Sequence, residues 1–310
     1  MDRNLILAFD VGGTQIKAAA VIGGAILEET ISHYDSHANR SAEEIVAHFA
    51  DIAVDLLAKA GEEPSLIGGI GMAFPGPFDY DAGVSYIRGL SKFESLYGIP
   101  FGERLEESIR SHGMLAPRLS SSFGIRFEND AALFGLGEAG YGEASECNRA
   151  VCLTIGTGLG SCFLENGRLV QRRDDVPDQG WLYNVPYQDK IADDWISRRG
   201  ILQLASEMRL EPDGLDVRDY AIAALDGDRL AAELFETFGR RMASILASSL
   251  RAFTPDRIVI GGQISKSGIL FVPAFKKELE NAGVLADVKL SNNTLNSTFK
   301  GIYNLVENKI

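Results

Sequence analysis

The chain has 310 residues, 45% of them hydrophobic and 24% charged, a balance that suits one large or two ordinary globular domains and excludes disorder as the dominant state. Lys and Arg number 30 against 43 Asp and Glu, a formal charge of −13. Such a surface is repelled by phosphate backbones and anionic lipid, so neither nucleic acid nor membrane is expected as a partner.

Taken in chain order, Leu5 to Phe9 is a near-continuous apolar run of the kind found in strands buried on both faces. After Asp10-Val11-Gly12-Gly13-Thr14 a second apolar stretch, Ile16 to Ile22, follows, and Gly23-Gly24 turns into Ala25-Ile26-Leu27. This opening predicts an antiparallel meander. Ser41 and Glu44 form a capping box for a helix with Ile45, Phe49, Ile52 and Leu56 at helical spacing, closed by Gly61. A buried strand is predicted over Ile67 to Phe74, ending in Pro75-Gly76-Pro77. A helix is predicted over 101–112, and a short strand over Phe123 to Phe127 leads to Glu128-Asn129-Asp130 and an Ala- and Leu-rich helix.

At Ala150 the opening pattern returns: strand Val151 to Ile155, turn Gly156-Thr157-Gly158-Leu159-Gly160, strand Ser161 to Leu164, turn Asn166-Gly167, strand Arg168 to Val170. The same unit recurs about 145 residues on and predicts a duplicated architecture. Beyond it, a helix is predicted near Asp193–Ala205. A long helix from about Asp228 has Leu230, Leu234, Phe238, Met242, Ile245 and Leu250 on one face. A strand Arg257 to Ile260 ends at Gly261-Gly262, and a weak helix spans Thr298 to Ile310.

Three cysteines, Cys147, Cys152 and Cys162, cannot pair evenly and lack C-x-x-C spacing, so a disulfide framework and structural zinc are not expected. No signal-like apolar stretch precedes Asp10 and no window approaches ~18 apolar residues, which predicts a cytoplasmic protein. The four histidines, His33, His37, His48 and His112, lie near no candidate nucleophile and are expected at the surface. Two Gly-rich turns between strands, Gly12-Gly13-Thr14 and Gly156-Thr157-Gly158, offer unobstructed backbone N–H groups for phosphate oxygens. Neither G-x-G-x-x-G before a helix nor a Walker A loop occurs. Asp130, at a helix start behind Asn129, is placed to accept a hydroxyl proton during phosphoryl transfer or simply to cap the helix.

Five motifs in order, Asp10-x-Gly12-Gly13-Thr14-x-x-Lys17, Pro75-Gly76-Pro77-x-Asp79, Glu128-Asn129-Asp130-Ala131, Gly156-Thr157-Gly158-x-Gly160 and Gly261-Gly262, resemble the ROK family (repressors, open reading frames and kinases) of the actin-like, Hsp70-like sugar kinase superfamily. The resemblance spans roughly residues 5–305. It implies an α/β fold of two ribonuclease-H-like domains with a cleft between them: 1–118 with a C-terminal helix at about 297–310, and 119–296. It also implies ATP and Mg²⁺ as cofactors, a sugar substrate and a homodimer. Under it Asp10 orients Mg²⁺ through water; Gly12, Gly13, Thr14 and Lys17 lie at the transferring phosphate; Gly156, Thr157 and Gly158 cradle the ATP phosphates; and Gly261 and Gly262 flank the adenosine. Asn129, with Pro75, Gly76 and Asp178, belongs to the sugar site, and Asp130 is the general base.

Two departures stand out. Where the family's sugar kinases carry E-x-G-H and a Cys-rich zinc loop, this chain has Asp178-Gln179-Gly180-Trp181 and no nearby cysteine; the pattern resumes at Trp195-Ile196-Ser197-Arg198-Arg199-Gly200. Where the family often has a sugar-touching Asn-Leu pair, it reads Tyr86-Ile87-Arg88-Gly89-Leu90-Ser91-Lys92. Arg88 and Lys92 are either surface charges or cleft residues that favour an anionic or modified sugar. The sequence thus predicts an ATP-dependent hexose kinase, with a catalytically degenerate sugar-binding sensor as the alternative and polyphosphate as an alternative donor. A repressor is disfavoured because the first strand begins at Leu5, leaving no room for a helix-turn-helix.

Overall fold

A computed structural model describes residues 4–61, 66–210 and 214–307. The chain divides into two compact units, Met1–Gly137 with Leu295–Ile310, and Glu138–Thr294. The expected boundary near 118 is displaced because the next strand pairs into the first sheet.

The first unit is built on β1 (Leu5–Val11), β2 (Gln15–Ile22), β3 (Ala25–Ile26), β4 (Ser32–Asp35), α1 (Ala42–Lys59), β5 (Ile67–Ala73), the small hairpin β6 (Phe78–Asp79) and β7 (Val84–Ser85), α2 (Phe101–Ser111), β8 (Ile125–Glu128) and α3 (Asp130–Tyr141). Its main sheet runs β3-β2-β1-β5-β8 with β4 on β2. The meander is antiparallel, whereas β1, β5 and β8 are parallel. The Ser41 capping box forms, with Glu44 N–H on the Ser41 hydroxyl at 3.2 Å. Gly61 follows the helix at φ +85°, the left-handed stop that glycine takes without strain. β8 starts two residues later than expected.

Register fixes the site. Asp10 is level with Ala73, and Ala73 with Glu128. The turns that leave β1, β5 and β8 therefore emerge at one end of the sheet, outside the carboxyl ends of parallel strands, where ligands bind in open α/β sheets.

The second unit repeats this plan with β9 (Arg149–Ile155), β10 (Leu159–Glu165), β11 (Arg168–Leu169), the hairpin β12 (Pro186–Tyr187) and β13 (Lys190–Ile191), α4 (Ala192–Trp195), α5 (Arg198–Glu207), α6 (Val217–Leu225), α7 (Arg229–Phe253), β14 (Arg257–Gly261), α8 (Gly268–Asn281) and β15 (Asp287–Leu290). Strand order is β11-β10-β9-β14-β15, the same two antiparallel then two parallel connections. Gly261 is level with Thr154, so the turns after β9 and β14 share one end of this sheet too.

The helix expected at 193–205 is two helices, because the chain restarts at Ser197, whose hydroxyl caps Gly200 N–H at 3.3 Å. In α7, Leu230 lies outside the apolar face, 55% exposed, while Leu234, Phe238, Met242, Ile245 and Leu250 are buried. The tail forms α9 (Thr294–Glu307), four residues earlier than expected; residues 308–310 of that expectation lie outside the described ones. α9 lies on the first unit: a Cβ at Gly71 would strike Ile302, and one at Gly69 would meet Val306 at 2.6 Å. This explains the glycines of β5, since the helix backbone approaches a strand stripped of side chains. No helix of the described residues is long and apolar enough to cross a membrane.

Candidate active site

The turn after β1 is closed by Gly12 N–H donating to Gln15 C=O at 2.8 Å. That amide is spent, so the donors this turn offers a ligand are those of Gly13 and Thr14. Ser36 braces it from below: its hydroxyl donates to Gly13 C=O at 2.8 Å and its N–H to Thr14 C=O at 3.1 Å. Asp10 and Lys17 face each other across the β1–β2 pair, and their side chains meet at 3.2 Å. Lys17 is thus tied to Asp10.

At the third turn, Asn129 is the N-cap of α3. Its amide oxygen accepts Ala131 N–H at 3.0 Å and Ala132 N–H at 3.4 Å. With the oxygen engaged, the Asn129 NH₂ is the group left to donate to a ligand. Asp130 accepts Ala131 N–H at 2.8 Å. The residue keeps exposed surface, yet its carboxyl pKa is raised. Desolvation by the surrounding protein is the first cause, opposed by the Ala131 N–H, then reinforced by the Asp10 charge and relieved by Lys92. Asn129 thus caps the helix, and Asp130, which also accepts a first-turn N–H, presents a carboxylate of raised pKa.

Tyr80 is a site residue that the sequence did not single out. It follows β6, its hydroxyl donates to Phe74 C=O at 3.1 Å, and it lies at the Asn129 side chain. Burial first, then Asp130 and Glu128, push its pKa up, against the Asn129 contact that lowers it. Pro75 is half-buried and Gly76 exposed, and a Cβ at Gly76 would come 3.4 Å from the Tyr80 hydroxyl. Glu128 is also raised, chiefly by burial, while it accepts Asn129 N–H at 2.8 Å.

Between β7 and α2 runs a strap with Ser91 and Phe93 at φ +53° and +51°, a left-handed backbone that costs non-glycine residues of the order of 1–3 kcal/mol each. Phe93 holds it down. Its ring is fully buried, 5.2 Å from Phe74, and its N–H donates to Ala38 C=O at 2.7 Å. Arg88, on the same strap, is exposed and stacks on Tyr97 at 4.3 Å.

In the second unit Gly156 N–H donates to Gly158 C=O at 3.0 Å, and nothing lies within 4 Å of a Cβ at Gly156. Asp193, another residue the sequence did not mark, backs this turn. Its carboxylate accepts Leu159 N–H at 2.6 Å, would collide with a Cβ at Gly158, and is paired with Arg199. Gly262 has φ +90°, donates its N–H to the Thr294 hydroxyl at 2.8 Å and abuts the Ile155 backbone. Asp178 is exposed at the start of a short turn whose Gly180 C=O accepts the Ser161 hydroxyl at 2.7 Å. Cys152 and Cys162 are buried opposite each other on β9 and β10. The histidines are less exposed than expected: His37 and His48 stack at 4.0 Å and, with His112, are half-buried.

Residues 6–293 match the ROK family. The chain belongs to the ROK family. A glucokinase of Thermotoga maritima is 25% identical over 302 residues, covering 90% of this chain and 89% of that protein. The DNA-binding regulator NagC of Escherichia coli is 24% identical over 163 residues, 48% of this chain and 40% of its own length. Among solved structures, a glucokinase from Parabacteroides distasonis superposes at a TM-score of 0.80 with 21% identity, covering 100% and 99% of the two chains. A ROK glucokinase from Streptomyces griseus, in complex with glucose and AMPPNP, superposes at 0.72 with 20% identity over 97% and 99%. At these identities the superpositions bear on the fold, which is the two-domain, actin-like α/β architecture of ROK proteins.

Proposed function

We propose that this ROK protein is an ATP-dependent kinase that phosphorylates a hydroxyl of a hexose or hexose derivative, with Asp130 as general base. The observation that carries the reading is the pair Asn129–Asp130 at the sheet end it shares with the Gly13–Thr14 turn: an amide donor beside a carboxylate of raised pKa, next to unspent backbone N–H groups. The amide orients a sugar hydroxyl, and the carboxylate takes its proton. As the sugar oxygen bonds to phosphorus, the donor's bridging P–O bond breaks and its electron pair leaves on the donor, so charge and atoms balance. The Gly13 and Thr14 amides meet the phosphoryl oxygens.

For ATP, the open Gly156–Gly158 turn, braced from behind by Asp193, suits phosphate oxygens, and the Gly261-Gly262 corner takes the nucleoside. For Mg²⁺, no group of three or more His, Cys, Asp or Glu that could hold a metal occurs among the described residues. Mg²⁺ needs no such cage, since it keeps several waters and binds one or two carboxylates together with substrate phosphates. Asp10 fits that role: Lys17 engages its Oδ2, and its charge is felt at Asp130. When bound, the ion neutralises phosphate charge.

ADP release with Mg·ATP across neutral, N-acetylated, amino and acidic sugars tests the proposal, with Asp130→Asn as control. One sugar turned over by the wild type and lost in the variant supports it. Full activity of Asp130→Asn would remove the base. A sugar-binding sensor is favoured by the Asp178 to Trp181 segment, where an exposed Asp178 and the Trp181–Tyr183 aromatic pair stand in place of the family's Glu and His. Sugar binding without turnover selects that reading.

A further inference from the structure

The strap between β7 and α2 carries two cations that the proposed chemistry leaves without a task, Arg88, which stacks on Tyr97, and Lys92. The Lys92 stem crosses the phosphate turn of β1: its Cδ lies 2.9 Å from where a Cβ at Gly13 would stand, so hydrogen alone fits beneath it. Both neighbours, Ser91 and Phe93, have left-handed backbone. One is pinned by its N–H on Glu94 Oε1 at 2.9 Å, the other by the fully buried Phe93 ring and its N–H on Ala38. Strained backbone held by a buried anchor fixes the direction in which the intervening side chain leaves the chain. Lys17, the other lysine at this sheet end, is paired with Asp10. Lys92 is half-buried and makes no hydrogen bond or salt bridge among the described residues. Its charge is felt at the Asp130 carboxylate without a salt bridge to it, so a partly desolvated ammonium remains to be completed by an anionic ligand.

We propose that Lys92 is a phosphoryl-binding residue, whose ammonium, carried over the Gly13 turn, meets the oxyanion charge of the group in transfer. The proposal rests on the kinase reading. In that transfer negative charge is spread over the three equatorial phosphoryl oxygens, and a fixed cation beside them stabilises the transition state more than the bound sugar. The hydroxyl proton goes to Asp130, and Lys92 supplies charge alone. Its place over Gly13 favours a phosphoryl oxyanion over an acidic substituent on the sugar, because the Gly13 and Thr14 amides converge on the same anion.

Inorganic phosphate is titrated calorimetrically into wild type, Lys92→Met and Lys92→Arg, and turnover is measured with the sugar found in the panel. Phosphate affinity is expected to fall about tenfold in Lys92→Met and to return in Lys92→Arg, while kcat falls about 100-fold in Lys92→Met with sugar KM within about twofold. A thermal midpoint within about 1 °C of wild type verifies the fold, and Lys92→Gln serves if the Met variant melts early. Equal phosphate affinity in wild type and Lys92→Met, no phosphate binding by wild type, or a loss confined to the KM of an acidic sugar overturns the assignment. Absence of turnover by wild type with every sugar defeats the kinase reading alone, and the phosphate titration then judges Lys92 by itself.

Discussion

Gly301→Ala is the most informative single substitution for the first unit. Gly301 sits in α9, where a built Cβ would stand 1.8 Å from the Leu133 carbonyl oxygen of α3. Ordinary contact begins near 3.4 Å, so the two helices would have to separate by about 1.6 Å. The obstacle is backbone, which cannot rotate aside, so the upper part of the usual overpacking cost, about 3 kcal/mol, applies. Alanine returns about 1 kcal/mol through helix propensity, leaving a net loss of about 2 kcal/mol. For a unit of this size that lowers the thermal midpoint by about 4–8 °C. Leu133 lies one turn from Asp130, so the displacement also reaches the proposed base, and a misplacement near 1 Å costs about 100-fold in rate. Scanning calorimetry and ADP release on Gly301→Ala, with Gly124→Ala as control, check both effects; nothing lies within 4 Å of a Cβ at Gly124. Coincident melting of Gly301→Ala and wild type would refute the close approach of α3 and α9.

Asn129→Asp keeps the capping oxygen, so its melting temperature should match wild type within about 0.5 kcal/mol, while loss of the NH₂ donor raises the sugar KM about tenfold or more; an unchanged KM in steady-state kinetics removes Asn129 from the sugar site. Because the Asp130 pKa is raised, the proton-accepting form is lost as pH falls through a value above the ordinary aspartate range of about 3.9. The acid limb of the kcat/KM profile should lie above that range and disappear with Asp130→Asn in any residual activity. Gly262→Ala forces a side chain onto φ +90° beside the Ile155 backbone, a cost of about 2–4 kcal/mol. Urea unfolding of the second unit should show it, together with weakened nucleotide binding. Asp175 and Glu165 are held below their usual pKa, first by hydrogen bonds from Arg173. Their contribution to stability is complete above the unfolded carboxylate pKa near 4 and is lost as pH falls through the lower folded values. Melting between about pH 5 and pH 2 should therefore be less steep in Arg173→Ala.

The legible parts of the fold were those where local chemistry agrees with the final structure. The meander, the Ser41 capping box and the repeated strand–turn–strand unit all follow from short-range signals. Other parts follow from contacts made far along the chain. The break at Ser197 depends on one hydroxyl cap inside an otherwise helical pattern, and Leu230 fits the apolar period of α7 but lies in its first turn, away from the core. α6, α8 and β15 were not read at all, since their apolar residues answer to partners rather than to a clean local period. In the site, the Gly-rich turns and Asp130 are visible as types and spacing. Tyr80, Asp193 and the fixed course of Lys92 are not, because each acts through a neighbour brought close only by folding. A signal for Lys92 existed in the positive charges Arg88 and Lys92 after Gly83, but nothing local points to left-handed backbone at Ser91 and Phe93.

The placement of α9 on β5 and α3 has a consequence for biogenesis. A growing polypeptide leaves the ribosome from its N-terminus, so β1 to α3 are available early, yet Gly69, Gly71 and Gly137 face partners in α9 that are made later. The continuous stretch Glu138–Thr294 has all of its own strands before that helix is made. The second unit can therefore reach its native state while the first still waits with a bare glycine-lined sheet face, which α9 covers only after residues 138–294 have been made.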